Sequence, residues 1–187
     1  MKPIAYLSAI SAIVFAVAFT WLPLQSSSIA KEEKNKKIVE RTKEEWKEIL
    51  SPEQFRILRE AGTERPNGKI YFEFKKHGAG TYYCAGCGLE LFSSNEKFDS
   101  RCGWPSFYDP SKSKNVKTSV DYHLGYPRTE VLCVGCDGHL GHVFTGEGFD
   151  TPTDKRYCIN GTVLKFVPLA SVQAKESLKD DVKQTNK

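Results

Sequence analysis

The sequence predicts a mainly β protein, an antiparallel sheet or open barrel fronted by short N-terminal helices and held by a four-cysteine metal site. Three observations predict it. From Ile70 onward, short stretches rich in β-branched and aromatic residues alternate with Gly, Pro and Asn. The chain carries 11 Phe, 8 Tyr, 3 Trp, 14 Gly and 9 Pro, a composition for strands and turns rather than long helices. Four of its six cysteines form two C-x-x-C pairs, Cys84/Cys87 and Cys133/Cys136.

Residues 1–30 read as an export signal. Lys2 starts it, Ile4 to Leu24 is almost continuously apolar, and Ser28-Ile29-Ala30 supplies the small residues of a cleavage site. The other reading is an uncleaved membrane anchor, since the run is long enough to span a bilayer. Both place the domain outside the cytosol, in a periplasmic or other extracytoplasmic space. A membrane is a partner only if this segment is retained. Beyond residue 30 the chain has 26 basic and 23 acidic residues, net +3, too mild for a nucleic-acid partner. Residues 31–41 read as a charged linker, 42–169 as the folded domain, and 170–187 as a polar tail.

Thr42-Lys43-Glu44-Glu45 is a capping box that opens a helix with Trp46, Ile49 and Leu50 on one face. Ser51-Pro52-Glu53-Gln54 opens a second, with Phe55, Ile57 and Leu58 as its apolar side and Gly62 at its end. Ile70 to Phe74, Gly80 to Cys84, Leu89 to Phe92, Thr129 to Cys133 and His139 to Phe144 read as strands. The last strand runs from Arg156 to Phe166 through Cys158, and Pro168 closes it.

Cys84-Ala85-Gly86-Cys87-Gly88 and Cys133-Val134-Gly135-Cys136-Asp137-Gly138 have the form of zinc knuckles. Two thiolates two residues apart converge on one ion, and two such turns complete the closed tetrahedral set of one structural Zn²⁺ per chain. The stretch between them, residues 88–132, is far longer than the ~15–20 of a zinc ribbon, so the ion ties two distant hairpins together. A redox C-x-x-C normally opens a helix; both of these follow strands. Paired disulfides in an oxidising compartment are the competing reading.

Cys102 and Cys158 have no such partner. Cys102 lies in a loop, Phe98 to Phe107, whose Ser, Gly and Pro content breaks regular structure. If that loop folds over Cys158, the two thiols can cycle through a disulfide; a static bridge is the alternative. His139 and His142 sit beside the second knuckle, where an imidazole can lower a thiol pKa or protonate a leaving oxygen. The plain alternative for each is a satisfied core histidine. Asn160, two residues past Cys158, shares its face if the strand continues, and Trp104 offers a flat apolar wall to a methyl group on sulfur. His77, in a polar turn, receives no role.

Several ordered motifs carry a resemblance. Tyr83-Cys84-Ala85-Gly86-Cys87, Cys102 to Phe107, Arg128-Thr129-Glu130-Val131, Cys136 to Phe144 and Arg156-Tyr157-Cys158-Ile159-Asn160 resemble the B-type methionine-(R)-sulfoxide reductases from about Glu44 to Leu169. The resemblance implies two antiparallel sheets and a four-cysteine zinc site away from the active site, with no organic cofactor. It implies Cys158 as nucleophile on the sulfoxide of an oxidised protein or peptide methionine. His142, with His139 beside it, is implied as proton donor; Trp104, Asn160 and His142 are implied as substrate contacts. Cys102 would resolve the sulfenic acid to a disulfide that a thioredoxin-like protein reduces. A monomer is expected. Arg101, Gly146 and Gly161 depart from the residues usual in that family, with Glu147 a candidate substitute for the acidic residue missing at 146. Gly125-Tyr126-Pro127 departs as well. Two other classes compete: a zinc-stapled binding module, which leaves Cys102 and Cys158 unexplained, and a disulfide oxidoreductase, which has no use for Trp104 and the histidines.

Overall fold

A computed structural model describes residues 39–173. The export or anchor segment expected over 1–30, almost all of the linker and the tail beyond 173 lie outside the described residues. Helices α1 (Lys43–Ile49), α2 (Pro52–Glu60) and α3 (Lys69–Lys76) precede nine strands. These are β1 (Gly80–Cys84), β2 (Glu90–Ser93), β3 (Lys97–Phe98), β4 (Ser106–Phe107), β5 (Val116–Asp121), β6 (Arg128–Cys133), β7 (His139–Thr145), β8 (Lys155–Ile159) and β9 (Leu164–Pro168). They form two antiparallel sheets, one ordered β2-β1-β9 and one ordered β3-β4-β8-β7-β6-β5.

Both capping boxes close as the sequence predicts. The Thr42 hydroxyl accepts the Glu45 N–H while the Glu45 carboxylate accepts the Thr42 N–H, and Ser51 and Gln54 repeat the exchange. Trp46 of α1 and Leu50 at its C-cap are buried, but Ile49 turns to solvent, 51% exposed. On α2, Phe55, Ile57 and Leu58 all face inward. The left-handed residue that ends α2 is Ala61 (φ 51°), one position before the expected Gly62.

Two expected strands fail. Ile70 to Phe74 is not a strand but the middle of α3. Tyr71 and Phe74, three residues apart, are buried while Phe72 is exposed, which is helical rather than alternating spacing. Lys75 and Lys76 in the last turn also suit a helix C-terminus. Nor is Arg156–Phe166 one strand. It leaves the six-stranded sheet after Ile159, makes a 3₁₀ turn over Gly161–Val163, and enters the three-stranded sheet as β9. The Glu64 carboxylate forces the corner by accepting the N–H groups of Gly161 (2.7 Å) and Thr162 (2.8 Å).

The core lies between the sheets. Phe92 of the small sheet stacks on Phe107 of the large one at 4.4 Å, and Tyr82 meets the same ring edge-on at 5.1 Å. Leu91, Ile159 and Val163 are fully buried beside them. Each such side chain contributes roughly 1.5–3 kcal/mol by burial. Among the described residues, no helix is long and apolar enough to cross a membrane.

Candidate active site

Cys158 stands in β8 with a named neighbour on each side. Across one ladder it faces His142 of β7, and across the other it faces Ser106 of β4. Directly opposed residues project to the same face of a sheet, so the register alone delivers an imidazole and a hydroxyl beside the thiol. Gly141 permits this approach. A Cβ there would lie 2.1 Å from the Cys158 carbonyl oxygen and 3.0 Å from Ile159 Cα. Gly141→Ala is therefore expected to push β7 off β8, with a stability loss of about 1–3 kcal/mol in urea unfolding and a fall in turnover. Wild-type values of both would show that the strands have room.

Cys102 sits at the tip of the loop joining β3 to β4, next to β8. Two left-handed residues, Arg101 (φ 58°) and Gly103 (φ 91°), bend the loop around it. Asp99 holds the first bend, accepting the Arg101 N–H and taking Lys75 and Tyr71 from α3. The turn brings Cys102 Sγ to 3.6 Å from Cys158 Sγ, both thiols free. Such a pair needs only a small movement to bond.

The pair titrates as a unit. Cys102 is held down to about 4, first by the hydrogen bond with Cys158, with burial opposing, then by the Ser100 and Ser106 hydroxyls. The Cys158 thiol is pushed up, first by Cys102 and then by burial, with Arg156 pulling the other way. The contact between the two sulfurs thus favours the charge on Cys102 and the proton on Cys158.

Cys158, His142, Trp104 and Asn160 line a common cavity of about 100 Å³, with Arg128 and Phe144 also on its wall. That is three or four water volumes at about 30 Å³ each, room for a small group such as a methylsulfinyl. A larger cleft of about 430 Å³ between α3 and β3 contains no cysteine. His142 gives Nε2 to Asp121 at 2.7 Å, leaving Nδ1 for another partner. The Asp121 carboxylate is held down to about 2 by the His123 N–H, then His142, with Arg128 beside it, so it stays ionised beside the imidazole. His139 is buried behind His142, rings 5.3 Å apart, and does not line the cavity. Its Nδ1 lies 2.6 Å from Glu130, and burial lowers its pKa.

Asn160 reaches the cavity by a different route from the one expected. It lies just past the end of β8, not on a continuing strand face. Its Oδ1 accepts the Glu64 N–H (2.9 Å) and its Nδ2 donates to the Leu140 carbonyl (3.0 Å), leaving one N–H of the amide for a bound molecule. Trp104 donates its indole N–H to the Glu64 carbonyl at 3.1 Å. Glu64 therefore fixes two walls of the cavity through its backbone while its side chain ties the corner after β8. Neither Glu64 nor Asp121 stands out in the sequence, because each contacts the site across a long separation. Glu147 does not serve the histidines; it makes a two-pronged pair with Arg156 at 2.8 Å.

The other four cysteines converge elsewhere. Their sulfurs all lie within 4.8 Å of one another, with Cys84–Cys136 at 3.7 Å and Cys87–Cys133 at 3.5 Å. A tetrahedral ion with metal–sulfur bonds of about 2.3 Å sets its sulfurs about 3.8 Å apart, so the set of four fits one metal ion. The knuckles share one hydrogen-bond plan: Gly88 N–H to the Cys84 carbonyl, and Asp137 N–H to that of Cys133. Gly88 (φ 73°) and Asp137 (φ 55°) take the same left-handed position. Cys84 ends β1 and Cys133 ends β6, so the cluster joins the two sheets. None of the four lines the Cys158 cavity.

Comparison with known proteins agrees with this arrangement. The model of the SelR domain matches residues 50–168. Peptide methionine sulfoxide reductase B7 of Arabidopsis thaliana is 52% identical over 130 residues, 70% of this chain and 87% of the relative. Peptide methionine sulfoxide reductase B5 of Oryza sativa subsp. japonica is 50% identical over 129 residues, 69% and 91% of the two chains. Peptide methionine sulfoxide reductase MsrB of Leifsonia xyli is 50% identical over 131 residues, 70% and 91%.

Proposed function

Since the chain belongs to the SelR-domain family and is an oxidoreductase of the B-type methionine sulfoxide reductases, we propose that it reduces the R epimer of methionine sulfoxide in oxidised proteins, with Cys158 as nucleophile. The observation that carries this reading is the shared cavity of Cys158, His142 and Trp104, with Cys102 3.6 Å away. Cys158 gives its proton to Cys102, 3.6 Å away, and attacks the sulfoxide sulfur as a thiolate. His142, held by Asp121, protonates the oxygen, and Trp104 takes the methyl group. The methionine sulfur gains two electrons and Cys158 loses two, becoming a sulfenic acid. Cys102 closes a disulfide on it, and a thioredoxin-like dithiol restores both thiols. His139, with Glu130 behind it, orients His142 from the buried side.

Zinc is the metal best suited to the four thiolates; it supplies cross-linking of the two sheets when bound, and the chemistry belongs to Cys158. The apolar run of residues 4–24 supports an extracytoplasmic location, which N-terminal sequencing of mature protein tests. The reaction itself is tested with separated epimers of a protein-bound methionine sulfoxide and dithiothreitol. Consumption of R with S left intact is the expected result. Loss of neither epimer, or of S alone, would overturn the proposal.

A further inference from the structure

Around Cys102 lies a chain of hydroxyls that the reaction above does not use. Ser100 Oγ donates to Cys102 Sγ at 3.0 Å, and Ser106 Oγ lies 2.6 Å from Ser100 Oγ and 3.4 Å from the same sulfur. Ser106 is almost fully buried, and the β4–β8 register places it opposite Cys158. We propose that Ser106 and Ser100 form a two-hydroxyl relay that aims Cys102 at Cys158 and holds the negative charge on it, making both serines positioning residues for the resolving step. This rests on the cysteine roles assigned under Proposed function.

The relay has two settings. With Cys102 as thiolate, Ser106 donates to Ser100 and Ser100 donates to the sulfur, each bond strengthening the next. With Cys102 as thiol, its S–H turns to the Trp104 carbonyl at 3.5 Å and Ser106 donates to that carbonyl at 3.2 Å. The resolving step balances as follows. An electron pair on Cys102 sulfur forms the S–S bond and the S–O bond of the Cys158 sulfenic acid breaks. Cys102 sulfur is oxidised, Cys158 sulfur is reduced, and oxygen leaves as hydroxide to be protonated to water. Hydrogen bonds to a thiolate raise its population but blunt its nucleophilicity, the latter with a slope of only about 0.4–0.5. In the sulfenic acid the Cys158 thiol, the first cause that lowers Cys102, is gone, so Cys102 returns toward the ordinary thiol range, where the gain in population is the larger effect.

The groups facing Cys102 come from three elements, one of them β4 through Ser106. Cys158 and Arg156 approach from β8, and Tyr71, bonded to Asp99, approaches from α3. Cys158 and the two hydroxyls favour its charge; burial opposes it.

The test follows one turnover without reductant, recording methionine released and free thiols lost. In Ser100→Ala and Ser106→Ala the ratio of disulfide closing to methionine release is expected to fall about tenfold, the effect of one charge-assisted hydrogen bond. Ser100→Thr, which keeps the hydroxyl, is expected to close much faster than Ser100→Ala. In a Cys158→Ser background, the pH of half-maximal alkylation of Cys102 is expected to rise by about one unit on removing the Ser100 hydroxyl. An unchanged ratio with an unchanged alkylation profile would overturn the relay, as would equal slowing by Thr and Ala. Absence of methionine release from the wild-type enzyme would instead overturn the underlying reading, which separates the two failures.

Discussion

Cys158→Ser is expected to lower reduction of methionine sulfoxide at least about a thousandfold, even with excess dithiothreitol, the scale of losing a nucleophile. A serine oxygen cannot surrender the two electrons that the sulfoxide sulfur takes up, so no external thiol rescues it. Cys102→Ser is expected to behave differently. Dithiothreitol reaches the sulfenic acid directly, so turnover with it persists while recycling by a thioredoxin-like protein is lost. The same variant removes the first cause that pushes the Cys158 thiol up, its contact with Cys102. Alkylation of Cys158 is accordingly expected to titrate at lower pH in Cys102→Ser than in wild type. Dithiothreitol-supported turnover surviving Cys158→Ser, or a Cys158 titration indifferent to Cys102, would reverse the assignment of roles.

Removing one metal ligand is expected to have the largest effect on stability. Cys136→Ala leaves three thiolates of a site whose sulfurs now fit one tetrahedral ion. A structural four-ligand site contributes on the order of 10 kcal/mol in apparent terms, as much as the ~5–15 kcal/mol that holds a whole domain folded. Beyond backbone pairing within each sheet, this cluster is the cross-link between β1 and β6. The variant is expected to lose bound metal and cooperative thermal unfolding, and a chelator is expected to do the same to wild type. Elemental analysis beside a circular-dichroism melt checks this. A metal-free protein with the wild-type transition would show that packing of Phe92 on Phe107 and its neighbours suffices.

Much of the chemistry was legible because it is written in short spacings. Two residues between cysteines bring two thiolates to one ion, and the glycines at those turns are needed for the approach of the chain: a Cβ on Gly135 would lie 3.0 Å from Cys87 Sγ. Capping boxes are equally local, and both formed as read. The departure at Arg101 has a physical meaning that only the fold reveals. Its left-handed φ of 58° is one that glycine adopts without strain, and Asp99 holds the bend in its place.

The misreadings have one origin. Ile70 to Phe74 contains residues that suit either a strand or a helix, and what decides is which of them find a core: Phe74 meets Phe107 and Tyr82. Arg156 to Phe166 looks like one strand because its residues favour extended backbone, yet a carboxylate from position 64 bends it at Gly161. By itself, then, the sequence determined the four cysteines that gather into one metal-fitting cluster, the two outside it and the predominance of β structure, all consequences of residue type and near spacing. Only the tertiary structure decided which carboxylate serves which histidine, what holds Trp104 and Asn160 in place, and which hydroxyls attend Cys102. The bonds that hold Asn160 and Trp104 join residues up to 96 positions apart, and even the nearby hydroxyls of Ser100 and Ser106 meet Cys102 only through the bend of its loop, an outcome of packing that no local pattern encodes.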